Sequence, residues 1–323
     1  LSFDHDWQIN DQFNTRLDYN YASDKDVFTD LDTSPNSKTD LNLRRAWELN
    51  YRNGIPGLKA QLKVEDFQTL DKTISDLDRP YARLPQFLLN YTGGNPQGLQ
   101  YEYNNDTAYF KKDVDLRNTN NPNALQPSGT RLYNNFAVRY NYRTPWSFVL
   151  PEVSLRNVNT YFDQDTRDAQ SQTQSSSKNK SVTVPQFTLD TGLTFEKQGD
   201  FLQTLTPRLF YAYAPYEDQN GYPNFDSVNA SISYDQLFSA RRFYGNDRLE
   251  DNNFASLGLS YSLFDDVGLE RLKASIGQSF FFEDRRVTLN HQNDQFNYEN
   301  RTGPVVSLAS QLSQNVLVSA NSA

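Results

Sequence analysis

Two histidines, His5 and His291, are the first places to look for chemistry. Imidazole changes charge near neutral pH and is the commonest metal ligand. Neither residue has a second His, Cys or Glu at a ligand spacing, so the sequence offers no zinc site. The acidic stretches SDKDVFTDLD (23–32) and FDQDTRD (162–168) could gather a divalent cation. Neither has EF-hand spacing, and acids in hydrated loops account for both. No GxSxG elbow, Gly-rich phosphate loop or nucleophile–base pair is present. A Ser or Asp meeting His5 or His291 at a strand rim is the one hydrolytic arrangement left open. We expect no catalytic residue, no metal and no cofactor, and hence no enzyme.

What remains is a pattern that positions polar groups. Phe13 to Tyr21 reads FNTRLDYNY, with Phe13, Thr15, Leu17, Tyr19 and Tyr21 in one row and Asn14, Arg16, Asp18 and Asn20 in the other. A strand sends successive side chains to opposite faces, so one face is apolar and aromatic and the other is polar. The pattern recurs at Trp47, Leu49 and Tyr51, at Phe87, Leu89 and Tyr91, at Phe136, Val138 and Tyr140, and at Leu257, Leu259 and Tyr261. Arg45 breaks it by falling on an apolar row: it sits near a rim, follows a bulge, or faces protein. Helical periodicity is absent, and the many Asn, Thr and Tyr residues oppose helix. The expected class is all-β and antiparallel.

The connections alternate in length. Short ones fall at 10–12, 52–57, 92–98, 143–147, 197–201 and 264–270, and long polar ones at 23–40, 69–81, 111–130, 162–181, 215–252 and 284–300. Outer-membrane barrels have this asymmetry, with tight periplasmic turns and long outer loops, whereas a soluble sandwich has no reason to keep its two ends so different. SVNASISYDQLF (227–238) alternates like a strand, but counting it as a spanning strand would reverse the order of short and long connections. We therefore expect 215–252 to be one outer excursion, and 227–238 not to cross the wall. Pro85, Pro151, Pro185 and Pro207 lie inside strand patterns. Such prolines belong at strand starts, edges or bulges. Strand starts are the expectation for Pro151 and Pro185; the other reading is a local weakness in the wall.

Apolar rows that end in pairs such as Tyr19 and Tyr21, Tyr140 and Tyr142, or Tyr211 and Tyr213 suit the aromatic girdles of a membrane barrel. The 14% aromatic content is high for a chain that is 22% charged, and it comes from 20 Tyr and 22 Phe against 3 Trp. No stretch of about 18 apolar residues is present, which excludes a spanning helix and leaves a spanning barrel open. The net charge of −9 argues against nucleic acid, whose phosphates need basic patches. Cys and Met are both absent, position 1 included, and we read the chain as an internal piece of something longer. The expectation is a single partial barrel domain over 1–323, of about 14 strands. Asn14, Arg16, Asp18 and Asn20 would face its lumen.

At LPQFLLNY (84–91), TLTPRLFYAYAPYEDQ (204–219), FDS (225–227), LFSARRFYGNDRLEDNN (237–253) and GLERLKASIGQSFFFEDRRV (268–287) the chain resembles the LptD family of lipopolysaccharide-assembly outer-membrane proteins, also called the organic solvent tolerance family. DYNYASDKDVFTDL (18–31) is similar as well. The resemblance implies a very large barrel in the cell outer membrane, in contact with its lipid. It also implies an LptE-like plug lipoprotein in the lumen, and lipopolysaccharide that arrives from a periplasmic Lpt bridge through a jellyroll domain. The substrate would leave between the first and last strands. The jellyroll, the gate strands and the family's cysteines fall outside the segment that these motifs cover. The family-like excursion carries Tyr216, Asp218, Gln219, Asp226, Arg241, Arg242, Gly245, Asp247 and Arg248. These are expected to fold inward, pair their charges and order the outer mouth or touch the plug. The alternative is a surface loop with internal ion pairs.

Two other classes compete. A passive porin or receptor for small solutes would show open conductance and no plug. A soluble all-β binding module would be a stable monomer without detergent.

Overall fold

Strict alternation leaves each segment one way to satisfy its backbone, which is pairing with the neighbour that the next turn brings back. A computed structural model describes residues 1–24, 42–71, 74–76, 78–112, 128–163, 179–289, 298–313 and 316–322. The strands are β1 (Ser2–Gln8), β2 (Phe13–Asn20), β3 (Asn42–Tyr51), β4 (Leu58–Thr69), β5 (Ala82–Gly94), β6 (Leu99–Lys111), β7 (Gly129–Tyr140), β8 (Tyr142–Arg143) and β9 (Ser147–Phe162). They continue as β10 (Asn179–Leu193), β11 (Phe195–Lys197), β12 (Leu202–Ala214), β13 (Val228–Asn229), β14 (Phe243–Tyr244), β15 (Asn252–Phe264), β16 (Glu270–Phe281), β17 (Val305–Ser313) and β18 (Val316–Ser322). One 16-stranded antiparallel sheet runs from β1 to β18 in chain order, with β8 beside β9 and β11 beside β12, while β13 and β14 pair apart from it. Short and long connections alternate as the sequence pattern anticipates. Residues 227–238 add no strand to the large sheet. Among the described residues no helix is long and apolar enough to cross a membrane, which says nothing of a barrel.

The two faces invert the usual distribution of a soluble protein. Phe136, Val153, Leu155, Leu257 and Ile276 are each 50–58% exposed on one face. On the other face Arg131, Arg156, Asp106 and Ser256 are buried. The apolar face ends in a polar border that is oblique to the strands. On β4 it lies between Val64 and Asp66, and on β15 between Ala255 and Asn253. The row through Leu62 continues by pairing to Phe87, Thr107, Leu132, Asn159 and Ser181. Asp66 stands four residues above that row on β4, and the row of Asn253, Tyr213 and Phe187 stands six below it on β10. Ten residues are about 34 Å of strand, and the seven strand-to-strand steps between β4 and β15 are about the same distance. A level border therefore requires strands tilted by about 45°, the tilt of spanning strands. Between these limits Asn105 donates to Asn134 at 2.9 Å and Asn157 to Thr183 at 2.8 Å, which seals the border with amides.

Arg45 belongs to this border. It pairs directly opposite Asp66 in an unbroken register and meets it at 2.6 Å, so of its three readings the rim holds. The strand-start expectation for Pro151 and Pro185 is corrected. Both lie well inside their strands, opposite Leu189 and Leu155, because fifteen cross-strand pairs join β9 to β10 and spread the loss of a donor. Pro85 sits where the register shifts on both sides of β5, at a bulge.

Candidate functional site

The excursion between Ala214 and Asn252 returns across the polar face of the sheet, and what holds it there is charge. Arg131 projects from the polar row of β7 and is fully buried. Its guanidinium donates to Asp226 at 2.5 Å, to Asp247 at 2.7 Å and to Asp106 at 2.9 Å, and lies over the Phe110 ring at 4.7 Å. The planar fork serves several carboxylates at once in a fixed geometry, which the freely rotating ammonium of a lysine lacks.

Asp247 uses its second oxygen on the excursion itself. That oxygen accepts from the backbone N–H groups of Phe225 (3.0 Å), Asp226 (2.9 Å) and Ser227 (3.0 Å) and from the Ser227 hydroxyl (2.8 Å). Successive amides around one anion form a backbone nest. The approach is close enough that Gly245 sits at φ +94°, and a Cβ there would meet the Ser227 Cα at 2.7 Å. Phe225 then stacks flat on Phe110, centroids 4.5 Å apart, with Tyr81 edge-on to both.

From Asp226 a line of alternating charge crosses the wall. Asp226 accepts from Arg83 at 3.1 Å, Arg83 pairs with Glu65, Glu65 accepts from Arg44 at 2.7 Å, and Arg44 reaches Glu48 at 2.6 Å and Asp18 at 3.2 Å. On the other flank Arg156 donates to the fully buried Glu250 at 2.5 Å, and Arg242 to Asp251 at 2.5 Å. Burial pushes the Asp226 carboxyl up, but Arg131 and Arg83 outweigh it and hold the group below the ordinary carboxylate range. Glu250 follows the same logic, with Arg156 and Arg241 overcoming its burial. Among the described residues Arg248 hydrogen-bonds no carboxylate, and only the charge of neighbouring Asp247 opposes its burial. It donates to the carbonyls of Tyr222 (2.7 Å), Pro223 (2.8 Å) and Leu289 (3.2 Å), and burial pushes it down to about 10.

The sequence-predicted residues divide accordingly. Asp226 and Asp247 meet at Arg131, while Arg248, adjacent to Asp247, turns to other partners. The Gln219 side-chain amide donates to the Leu249 carbonyl at 2.7 Å and accepts from the Leu249 N–H at 2.9 Å. Tyr216 lies under the Arg286 guanidinium at 3.8 Å. Asp218 is exposed and caps the Asn220 N–H at 3.0 Å. Arg241 is exposed and bonds Asn246 at 3.1 Å. On β2, Asp18 joins the charge line and Asn20 donates to the Arg44 carbonyl at 3.0 Å. Arg16 is exposed and pairs with Asp4 at 2.9 Å. Asn14 is buried and lines an open cleft of about 760 Å³ beneath the excursion, with Asn50, Gln61, Asn90, Asn104 and Asn135 around it.

Arg131, Asp106, Arg156, Glu65 and Glu250 were not singled out from sequence. For the four on strands the one signal was an ion on a polar row, which any hydrated strand also shows; Glu250 had only its place in the family-like stretch 237–253. His5 is exposed on β1, while His291 and most of both acidic stretches lie outside the described residues. Among the described residues no three His, Cys, Asp or Glu gather as a metal site.

Comparison with known proteins follows this geometry. The sequence model of the family described as LPS transport system D matches residues 1–322. A protein of Acinetobacter baumannii named LPS-assembly protein LptD is 69% identical over 99% of this chain. Proteins of the same name from Acinetobacter baylyi and Psychrobacter cryohalolentis are 66% and 38% identical over 99% and 90% of it. The chain spans 38% of the length of each Acinetobacter relative and 30% of the Psychrobacter one.

Proposed function

Because the chain belongs to the LptD family, LPS transport system D, we propose that it is a stretch of outer-membrane barrel wall that helps to assemble lipopolysaccharide into the outer leaflet. The observation that carries this reading is the pair of opposed faces: an exposed apolar band with a border set for tilted strands, backed by a polar face that holds a buried ionic clamp. Lipopolysaccharide is amphipathic and anionic. Its acyl chains need hydrocarbon, and its sugars need a wide hydrated wall.

The polar face meets the second need. Most of the polar lining of the cleft is carboxamide, which both donates and accepts and so matches sugar hydroxyls. Arg44, Arg83 and Arg131 are each committed to wall or excursion carboxylates, so the cations that a phosphate would meet in the cleft are Arg52, Lys59 and Arg241 of its lining. The excursion covers the β5–β16 part of the wall. The cleft over β2–β7 stays open to substrate or to a plug lipoprotein, and the periplasmic Lpt bridge would dock on a domain beyond this chain. This is transport and assembly, not catalysis.

The test uses the full-length protein with its partners in cells that lack any other copy. Placing photo-crosslinking residues in turn at positions 13 to 20 should label lipid from Leu17 and Tyr19, and lipopolysaccharide or a lumenal protein from Asn14 and Asp18. Labelling of lipid from Asn14 and Asp18 would overturn the assignment of faces.

A further inference from the structure

The outer face of the wall changes character where the apolar band ends on its four longest strands. Asn105, Asn134, Asn157 and Thr183 stand directly opposite one another on β6, β7, β9 and β10. The next row toward the long connections is Thr107, Leu132, Asn159 and Ser181, and the third is Tyr109, Thr130, Tyr161 and Asn179. By alternation all three rows point the same way as Val153 and Leu155 below them. Among these side chains only Leu132 is apolar and none is charged. In a chain that is 22% charged, that is not the composition of an ordinary hydrated edge. On β3 and β4 the same border is held by the Arg45–Asp66 ion pair instead. The uncharged panel covers three strand-to-strand steps and four residues of rise, about 14 Å each way.

We propose that this panel binds the sugars of lipopolysaccharide already standing in the outer leaflet, on the outside of the wall and apart from the lumen; the proposal rests on the membrane reading above. Position supports it first. A lipid whose chains cover the apolar band carries its headgroup to this height, and long connections mark the outer side in barrels of this type. With tilted strands the panel rises about 10 Å beyond the hydrocarbon. Chemistry supports it next. Sugar hydroxyls both donate and accept, as carboxamides and hydroxyls do. Sideways bonds hold the panel in place: Asn134 accepts from Asn105 at 2.9 Å and from the Tyr103 hydroxyl at 2.8 Å, and Thr107 donates to Asn105 at 3.1 Å. Among the described residues these bonds occupy the Asn134 oxygen and leave its two N–H groups over. Asn179, Ser181 and Thr183 are exposed. Tyr161 is 45% exposed, and its ring offers an apolar body beside a polar tip. A phospholipid headgroup is chiefly phosphate and would be met by cations, which the panel lacks. A protein partner would need apolar anchors, and Leu132 is the only one here.

The test places the full-length protein, purified with its partners, in nanodiscs of dioleoyl phosphatidylethanolamine and lipopolysaccharide, with no bridge present to drive substrate through the lumen. A photo-crosslinking residue replaces Tyr161 in the panel, Gln68 above the same border on β4, or Val153 in the apolar band. Tyr161 should capture lipopolysaccharide about tenfold more than Gln68 does, the effect of one or two net hydrogen bonds. The excess should vanish when the discs hold lipid A without the sugars beyond it. It should also vanish in a variant carrying Asn159→Leu and Thr183→Val whose heat-modifiable mobility shows a folded barrel. Equal capture at Tyr161 and Gln68, an excess that survives with lipid A or in the folded variant, or capture of a protein at Tyr161 overturns the panel. If the variant does not fold, the comparison with lipid A decides alone. Val153 reports separately. If it captures lipid while Tyr161 shows no excess, the panel alone falls; if it captures none, the membrane reading falls too.

Discussion

Arg131 and Asp247 lie 2.7 Å apart with each side chain 1% exposed, although 116 residues separate them in the chain. The pair fastens the excursion to the wall at a point where neither charge meets water. Replacing Arg131 by Met would leave Asp106 and Asp247 without its guanidinium and Asp226 with Arg83 alone. Breaking a buried pair from one side costs about 3–5 kcal/mol. The excursion should detach while the sheet persists. Trypsin should then cut beside the exposed Arg241 at much lower enzyme concentration, with the heat-modifiable electrophoretic mobility of the folded barrel unchanged. Wild-type resistance would show that something else anchors the excursion.

Gly245 makes a narrower test of the same contact. Its φ of +94° lies in the region that side chains avoid, and its missing Cβ is the space that Ser227 occupies against Asp247. Gly245→Ala should cost about 1–3 kcal/mol through strain and displacement. Ser227→Gly, which frees space but removes both hydroxyl bonds to Asp247, should restore part of the loss in the double variant. Additive damage, read as excursion protease resistance, would mean that the two residues do not share the space.

Acid should loosen the clamp, and the sign follows from the direction of the shifts. Asp226 and Glu250 are held below their ordinary values by their arginines. A carboxylate depressed in the folded state stabilises fully above its unfolded value, about 3.9 for Asp and 4.3 for Glu, and loses that contribution as pH falls through the lower folded value. The amides of Arg242 and Phe243 donate to Glu250 and report its state. Their hydrogen-exchange protection should stay flat from neutral pH to about 5 and fall below about 4. A loss that begins near neutral pH would assign the clamp to other groups.

How much of this was legible beforehand depends on distance along the chain. Alternation is written into neighbouring residues, so FNTRLDYNY shows its two faces without help, and the connection at 52–57 shows its turn. Asp226 and Asp247 were legible only as parts of the FDS and NDR stretches, because resemblance flagged them. Arg131 was not legible at all. On β7 it shares a row with Tyr133 and Asn135 and looks like one more hydrated residue until the excursion is laid over it, 95 residues later. Pro185 was misplaced for a related reason. A local rule puts proline at a strand's start, but fifteen cross-strand pairs tolerate one in the middle. Local chemistry sets strands and turns, while buried charge is set by what returns to cover it.

The oblique border makes the most exacting prediction, because it assigns depth residue by residue. On β9 the apolar row runs through Val153 and Leu155 and stops at Asn157, which bonds Thr183 across the strand. All three side chains point to the same face, so they differ in height rather than direction. An arginine on the lipid face costs about 2–4 kcal/mol near the bilayer midplane and about 0–1 near the interface. Val153→Arg should therefore sharply lower the yield of folded, heat-modifiable protein, while Asn157→Arg should be tolerated. On β15 the limit lies far lower in the sheet's register: Leu257→Arg should be as damaging as Val153→Arg, and Asn253→Arg benign. If the sheet were a soluble wall packed on another layer, Asn157→Arg and Asn253→Arg would fare no better than their neighbours. Tolerance that followed the strand register instead of the tilted line from Asp66 to Asn253 would dispose of the membrane assignment.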